Sequence, residues 1–175
     1  MVLPAPYSRE LQAGRMREKW AAERSTTLTP NYDRDGIRFC YPENWTIVDE
    51  SFEEWPRTVS AQSPHTAIWM AHWYGNQESP TELAGNVLQA LRQEYDEVEA
   101  EVVSDRIDDY DVVGYDLSFY CLDLIAETSI RSLRIGSNTL VLVCQAEDSE
   151  FDELRSVFAA ITLSLVRLSE FAAVT

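Results

Sequence analysis

The sequence predicts an α+β fold: an antiparallel β-sheet of about six to seven strands with helices packed on both faces, preceded by an N-terminal helical arm. Three observations point there. Strand-like and helix-like runs fall in the order strands, one helix, about four strands, one helix, without the strict alternation that parallel crossovers would demand. Residues 66–74, TAIWMAHWY, are apolar on both faces, with Ala67, Trp69, Ala71 and Trp73 opposed to Ile68, Met70, His72 and Tyr74, which fits a strand covered from two sides. A chain of 175 residues can bury roughly 70% of its unfolded surface, so the core needs neither disulfide nor metal.

The elements follow in order. Residues 1–35 read as a helical arm and a linker: Pro4 and Pro6 open the arm, and Ser8 can cap a helix-favouring run to Arg24. Its apolar residues, Leu11, Met16 and Trp20, are too sparse for a continuous stripe. Residues 25–36, STTLTPNYDRDG, are polar and rich in turn formers, and the folded domain is expected over 36–168. A strand over 37–41 ends at Pro42, and Glu43-Asn44-Trp45 turns the chain into a second over 46–48. Strands over 58–62 and 66–74 follow, the latter in the sheet interior, because an edge strand so composed would invite aggregation.

Ser79 as N-cap, Pro80 at the first helical position and Glu82 at the third open a helix. Its Leu83, Val87, Leu88, Leu91, Tyr95 and Val98 recur at helical spacing to residue 100. Strands are expected over 102–107, 112–124, 128–135 and 139–146, with a turn at 108–111 and a three-residue loop, Gly136-Ser137-Asn138. Asp148 or Ser149 caps a last helix, with Glu150, Asp152 and Glu153 favouring its macrodipole and Phe151, Leu154, Val157, Phe158, Ile161 and Leu165 as its apolar face. Residues 169–175 are a tail.

Charge and composition narrow the function. Lys+Arg 14 against Asp+Glu 30 gives a net charge of −16, a field that repels polyanions, so nucleic-acid binding is not expected. No apolar run approaches the ~20 residues that span a bilayer, and the N-terminus lacks a basic region leading into an apolar stretch. A cytoplasmic protein without membrane attachment is the expectation. Cys40, Cys121 and Cys144 form no CxxC and read as buried free thiols. Residues 1–24 hold Arg9, Arg15, Arg17, Lys19 and Arg24 against Glu10, Glu18 and Glu23, a balance of +2 that leaves −18 for the rest. Such an arm suits a partner, or a second copy in a homodimer.

The segment Ile37-Arg38-Phe39-Cys40-Tyr41-Pro42-Glu43-Asn44-Trp45 resembles the opening strand and turn of the PsbP/Mog-like (DcrB-like) group, where an aromatic strand runs into Pro, a polar pair and Trp. Phe158-Ala159-Ala160-Ile161-Thr162-Leu163-Ser164-Leu165 is similar to that group's terminal helix. The resemblance covers about residues 36–168 and implies an α/β/α sandwich. Members of the group share binding rather than catalysis, which implies a non-catalytic protein-binding or adaptor module with an unnamed protein partner.

Catalytic constellations are sparse. His65 and His72 lie seven residues apart on one strand, so they point to opposite faces and cannot jointly ligate a metal without a bulge. The acidic run Glu94, Asp96, Glu97, Glu99, Glu101, Asp105, Asp108, Asp109, Asp111 lacks the spacing of an EF-hand loop and reads as a solvated helix face followed by an acidic turn. GxxxxGK[ST], GxGxxG, HExxH and GxSxG are absent, and no metal or cofactor is expected. The partner-binding candidates are Trp20, Trp55 (in the polar stretch Glu53-Glu54-Trp55-Pro56), Trp73 and Tyr74. The rival expectation is a small-molecule-binding protein or enzyme with a pocket near Trp73 and His72.

Overall fold

A computed structural model describes residues 31–50, 56–75 and 78–169. Strands β1 (Tyr32–Arg34) and β2 (Ile37–Phe39) form a small antiparallel hairpin of their own. The main sheet has seven strands: β3 (Thr46–Glu50), β4 (Arg57–Gln62), β5 (Ile68–Tyr74), β6 (Glu99–Ile107), β7 (Tyr110–Cys121), β8 (Leu124–Ile135) and β9 (Asn138–Glu147). Its spatial order is β3-β4-β5-β9-β8-β7-β6, every adjacent pair antiparallel. Helix α1 (Pro80–Glu94) joins β5 to the far edge strand β6, and α2 (Asp148–Leu168) follows β9. The fold is α+β with a mostly antiparallel sheet, as expected. No described helix is long and apolar enough to cross a membrane.

The two-sided composition of residues 66–74 places β5 inside the sheet. Ala71 pairs with Val59 of β4 on one side and Leu142 of β9 on the other. The alternation continues into β9, whose side chains divide between two apolar clusters. Leu140, Leu142 and Cys144 join Trp69, Ala71, Trp73, Phe151, Phe158, Ile161 and Leu165. Val141 and Val143 instead join Leu83, Ala84, Leu88, Leu117 and Ile130. Trp69 is fully buried, its Nε1 donates to Thr162 Oγ1 at 2.9 Å, and its ring lies 5.0 Å from Phe39. Truncating such a side chain to alanine typically costs ~3–5 kcal/mol.

The two segments quoted for their resemblance meet in space. Trp45 packs edge-on to Phe158 at 6.0 Å, Cys40 N donates to Ser164 Oγ and Arg38 N to Ser169 Oγ, each at 2.9 Å. The hairpin β1–β2 is thus stitched to α2.

Several expectations need correction. The stretch read as a linker to residue 35 contains β1, and Tyr32 belongs to the core. Its hydroxyl donates to Asp49 at 2.6 Å, so a polar sequence pays its way through one buried aromatic. Ser79 caps α1 and Pro80 opens it, but the helix ends at Glu94 rather than near residue 100. Tyr95 leaves the helix to stack on Phe119 at 4.4 Å, and Glu97 takes a positive φ of 53°. Consequently Glu99 and Glu101 lie on the exposed edge strand β6, not on a helix face, and Asp105 lies on the same strand as expected. The single strand expected over 112–124 is divided between β7 and β8 by a turn at Leu122-Asp123. Ile135 pairs with Asn138, so the next turn holds two residues, Gly136 and Ser137, not three. Gly136 takes a φ of 57°, the conformation for which glycine suits such turns. Glu147, not Asp148 or Ser149, caps α2, accepting from Glu150 N at 3.3 Å.

Candidate functional site

A groove of about 1160 Å³ runs between α2 and the outer half of the sheet. Strand parity builds its floor. Leu142 and Cys144 on β9 face the same side as Ser129 and Arg131 on β8, because Arg131 pairs with Leu142 and Ser129 with Cys144. Asp116 of β7 stands opposite Ser129, and the β6–β7 hairpin, residues 104–111, closes one end. The α2 wall presents Phe151, Arg155, Phe158, Ala159, Thr162, Leu163 and Arg167, a helical face at three- and four-residue spacing.

Arginine–carboxylate pairs line this apolar floor. Arg131 Nη2 meets Asp116 Oδ1 at 2.7 Å, while its Nη1 donates to the carbonyls of Ile130 at 2.9 Å and Tyr115 at 3.2 Å. Three acceptors fix the guanidinium in place. Gly114, which pairs with Arg131, makes this possible: a Cβ there would lie 1.8 Å from the oxygen of Ile130, the same oxygen that receives Arg131. Arg155 reaches Glu127 at 2.9 Å and Asp152 at 2.8 Å, with its guanidinium 4.8 Å from the centre of the Phe151 ring. Arg167 reaches Asp108 at 2.9 Å and ties the end of α2 to the β6–β7 turn.

The titration behaviour follows from burial. Desolvation raises the Glu127 carboxyl, with Asp152, Asp148 and Asp116 adding to the rise and Arg155 opposing it. Cys144, on the groove floor, is pushed up to about 12 by burial, with Arg131 only partly opposing. A thiol so protonated is a poor nucleophile near neutral pH. Chemically, the groove offers donors, acceptors and apolar contact rather than an activated attacking group.

The residues singled out from the sequence are dispersed. Trp73 is 4% exposed and packs in the core, with its Nε1 buried and without a partner. Tyr74 is half-buried against the α1 cluster, and burial, then Glu78, raises its hydroxyl. His72 Nδ1 lies 2.8 Å from Thr58 Oγ1, and burial lowers its pKa against a smaller opposing effect from Glu50. Neither Trp73 nor His72 lines the groove. His65 stands in the exposed turn before β5. Trp20 and Trp55 lie outside the described residues. Among the described residues no cluster of three or more His, Cys, Asp or Glu side chains is arranged to hold a metal ion. Arg131 and Asp116 escaped the sequence reading because nothing in a strand reveals which neighbour it will face, and Arg155 because its partner Glu127 lies 28 residues away on β8.

No protein-family model matches the chain, and no curated protein matches it in sequence. Solved structures do. The cyanobacterial PsbP protein CyanoP of Synechocystis superposes with a TM-score of 0.54 at 12% identity, over 76% of this chain and 88% of its own. The Ran-binding protein Mog1p of Saccharomyces cerevisiae gives 0.49 at 11% identity, over 82% and 96%. LpqN of Mycobacterium tuberculosis, involved in cell envelope biogenesis, gives 0.46 at 14%, over 76% and 86%. The fold is shared with CyanoP, consistent with the PsbP/Mog-like resemblance, and at 12% identity the likeness is one of fold alone.

Proposed function

We propose that this protein is a non-catalytic protein-binding or adaptor module whose groove beside α2 receives a segment of a protein partner. The observation that carries the reading is the groove's lining: half-buried Ala159 and Leu163 on the α2 wall, backed by buried Leu142, Phe151 and Phe158 and edged by paired charges of both signs. A peptide segment has matching chemistry, apolar side chains alternating with backbone donors and acceptors. The buried thiol of Cys144 adds no reactive group.

The finer architecture belongs to the same proposal. A helix on each face of the sheet accounts for β9 dividing its side chains between a cluster with Phe151 and Phe158 and a cluster with Leu83 and Leu88. The basic N-terminal stretch read as a helical arm lies outside the described residues, and its charge suits a role in association, including homodimerisation. A reducing, cytoplasmic setting suits the free Cys40, Cys121 and Cys144.

The test compares the tagged full chain with its Ala159→Arg variant, which fills the groove from the helix wall. The expected result is a defined set of proteins captured by the parent and lost from the variant, at equal melting temperature. Identical sets from both, or a small molecule retained by the parent alone in native mass spectrometry, would overturn the reading.

A further inference from the structure

Four of the six large apolar side chains exposed among the described residues, Tyr120, Leu122, Leu124 and Ile125, fall within six consecutive positions at the tip of the β7–β8 hairpin. Leu122 is 95% exposed and takes a φ of 56° at the first position of the two-residue turn, where Gly or Asn would sit without strain. Folding gains nothing from leucine there. Beside the tip a pocket of about 390 Å³ has Val98, Phe119, Tyr120 and Ile125 as apolar wall and Glu97 and Glu99 as its charged residues. Asp123 stands in the turn itself, and residues 107–130 contain no Lys, Arg or His. An apolar surface ringed by carboxylates fits a segment that carries cations among apolar side chains, and repels an anionic lipid surface.

Residues 9–24 have that chemistry. They hold five of the chain's 14 basic residues, its sole lysine, and Leu11, Met16 and Trp20. We propose that the β7–β8 tip and the pocket beside it receive the chain's own basic N-terminal segment, residues 9–24, from the same molecule or from a second copy. Reach permits either. Twelve residues separate Lys19 from Asn31, up to ~40 Å if extended, against ~24 Å between β3 and β7 across the sheet and ~20 Å along β7 from Asp116 to Leu122, so docking within one molecule needs residues 19–31 extended and docking between copies does not. The tip shares no lining residue with the groove beside α2, so the two surfaces can be tested separately.

The single lysine supplies the experiment. Zero-length carbodiimide coupling of the full chain can join only Lys19 or the N-terminal amine to a carboxylate, so mass spectrometry of the products reads the contact directly. The expected result is Lys19 joined chiefly to Glu97, Glu99 or Asp123, in the monomer for docking within a molecule or in a covalent dimer for docking between copies. In the Leu122→Asn/Leu124→Thr variant the yield falls by about tenfold while the melting temperature holds, since both leucines are exposed and Asn suits the turn. Lys19 joined chiefly to residues 105–111, or an unchanged yield in the variant, would overturn the proposal. So would absence of Lys19 products; if the full chain then binds phosphatidylcholine vesicles and the variant does not, the tip is assigned to a lipid surface instead.

Discussion

Replacing Gly114 by alanine tests how the sheet is built beneath the groove. The added Cβ would sit 1.8 Å from the oxygen and 2.7 Å from the carbon of Ile130, both backbone atoms of the neighbouring strand. Real contacts of this kind are essentially never closer than 3.0 Å, so β7 and β8 must part locally by more than an ångström. Overpacking of this sort costs ~1–3 kcal/mol, and each ladder hydrogen bond weakened adds ~1 kcal/mol. About 3 kcal/mol in all is expected, a fall of ~6–12 °C in melting temperature for a chain of this size. Urea unfolding followed by tryptophan fluorescence gives the free energy. Gly85→Ala is the paired control: Gly85 lies inside α1 with nothing within 4 Å of its added Cβ, so the variant gains ~0.5–1 kcal/mol. If Gly114→Ala unfolds within ~0.5 kcal/mol of the parent, the close approach of β7 and β8 is not a feature of the folded protein.

Two further predictions concern titration. Burial holds the Cys144 thiol at about 12, so a thiol reagent at pH 8 leaves it unmodified in the native protein and labels it after denaturation; native labelling at Cys144 would contradict the buried groove floor. Burial, then the hydrogen bond to Asp49, raises the Tyr32 hydroxyl to about 12 from the 10.0 of the free side chain. The folded value is the higher one, so its contribution to stability is complete below pH 10 and is lost as pH rises from 10 through 12. Tyr32→Phe shows a shallower alkaline decline across that window in denaturant titrations, and identical slopes would remove Tyr32 from the core.

Legibility in the sequence followed the range of the interaction responsible. The interior position of β5 was readable because Trp69, Ala71 and Trp73 opposed to Met70 and Tyr74 leave no face for water. The Ser79-Pro80 start of α1 was readable because capping is local, and Glu82 N does bond Ser79 Oγ at 3.4 Å. The end of α1 was not, since Tyr95 is drawn off by Phe119, a residue 24 positions away. The Leu122-Asp123 turn carries no Gly or Asn, so the chain gave no local signal where φ turns positive. Tyr32 shows the converse case, one aromatic in a polar stretch that earns a place in the core through Asp49, Arg57 and Phe39. The groove depends on register: Asp116, Ser129 and Arg131 come together only once β7, β8 and β9 are aligned, and neither their types nor their spacing announces it. The aromatic candidates failed to gather for a related reason, since Trp73 is as well suited to filling a core as to meeting a partner, and here it is buried.

The claim that the groove beside α2 is the partner-binding surface is tested most directly by amide hydrogen exchange on the full chain, free and in complex with a partner whose capture depends on Ala159. The account predicts slowed exchange in the complex at residues 104–111, 129–131 and 155–163, with rates over β4 unchanged. Slowing confined to β4 and β5, with the groove segments exchanging as in the free protein, would contradict it.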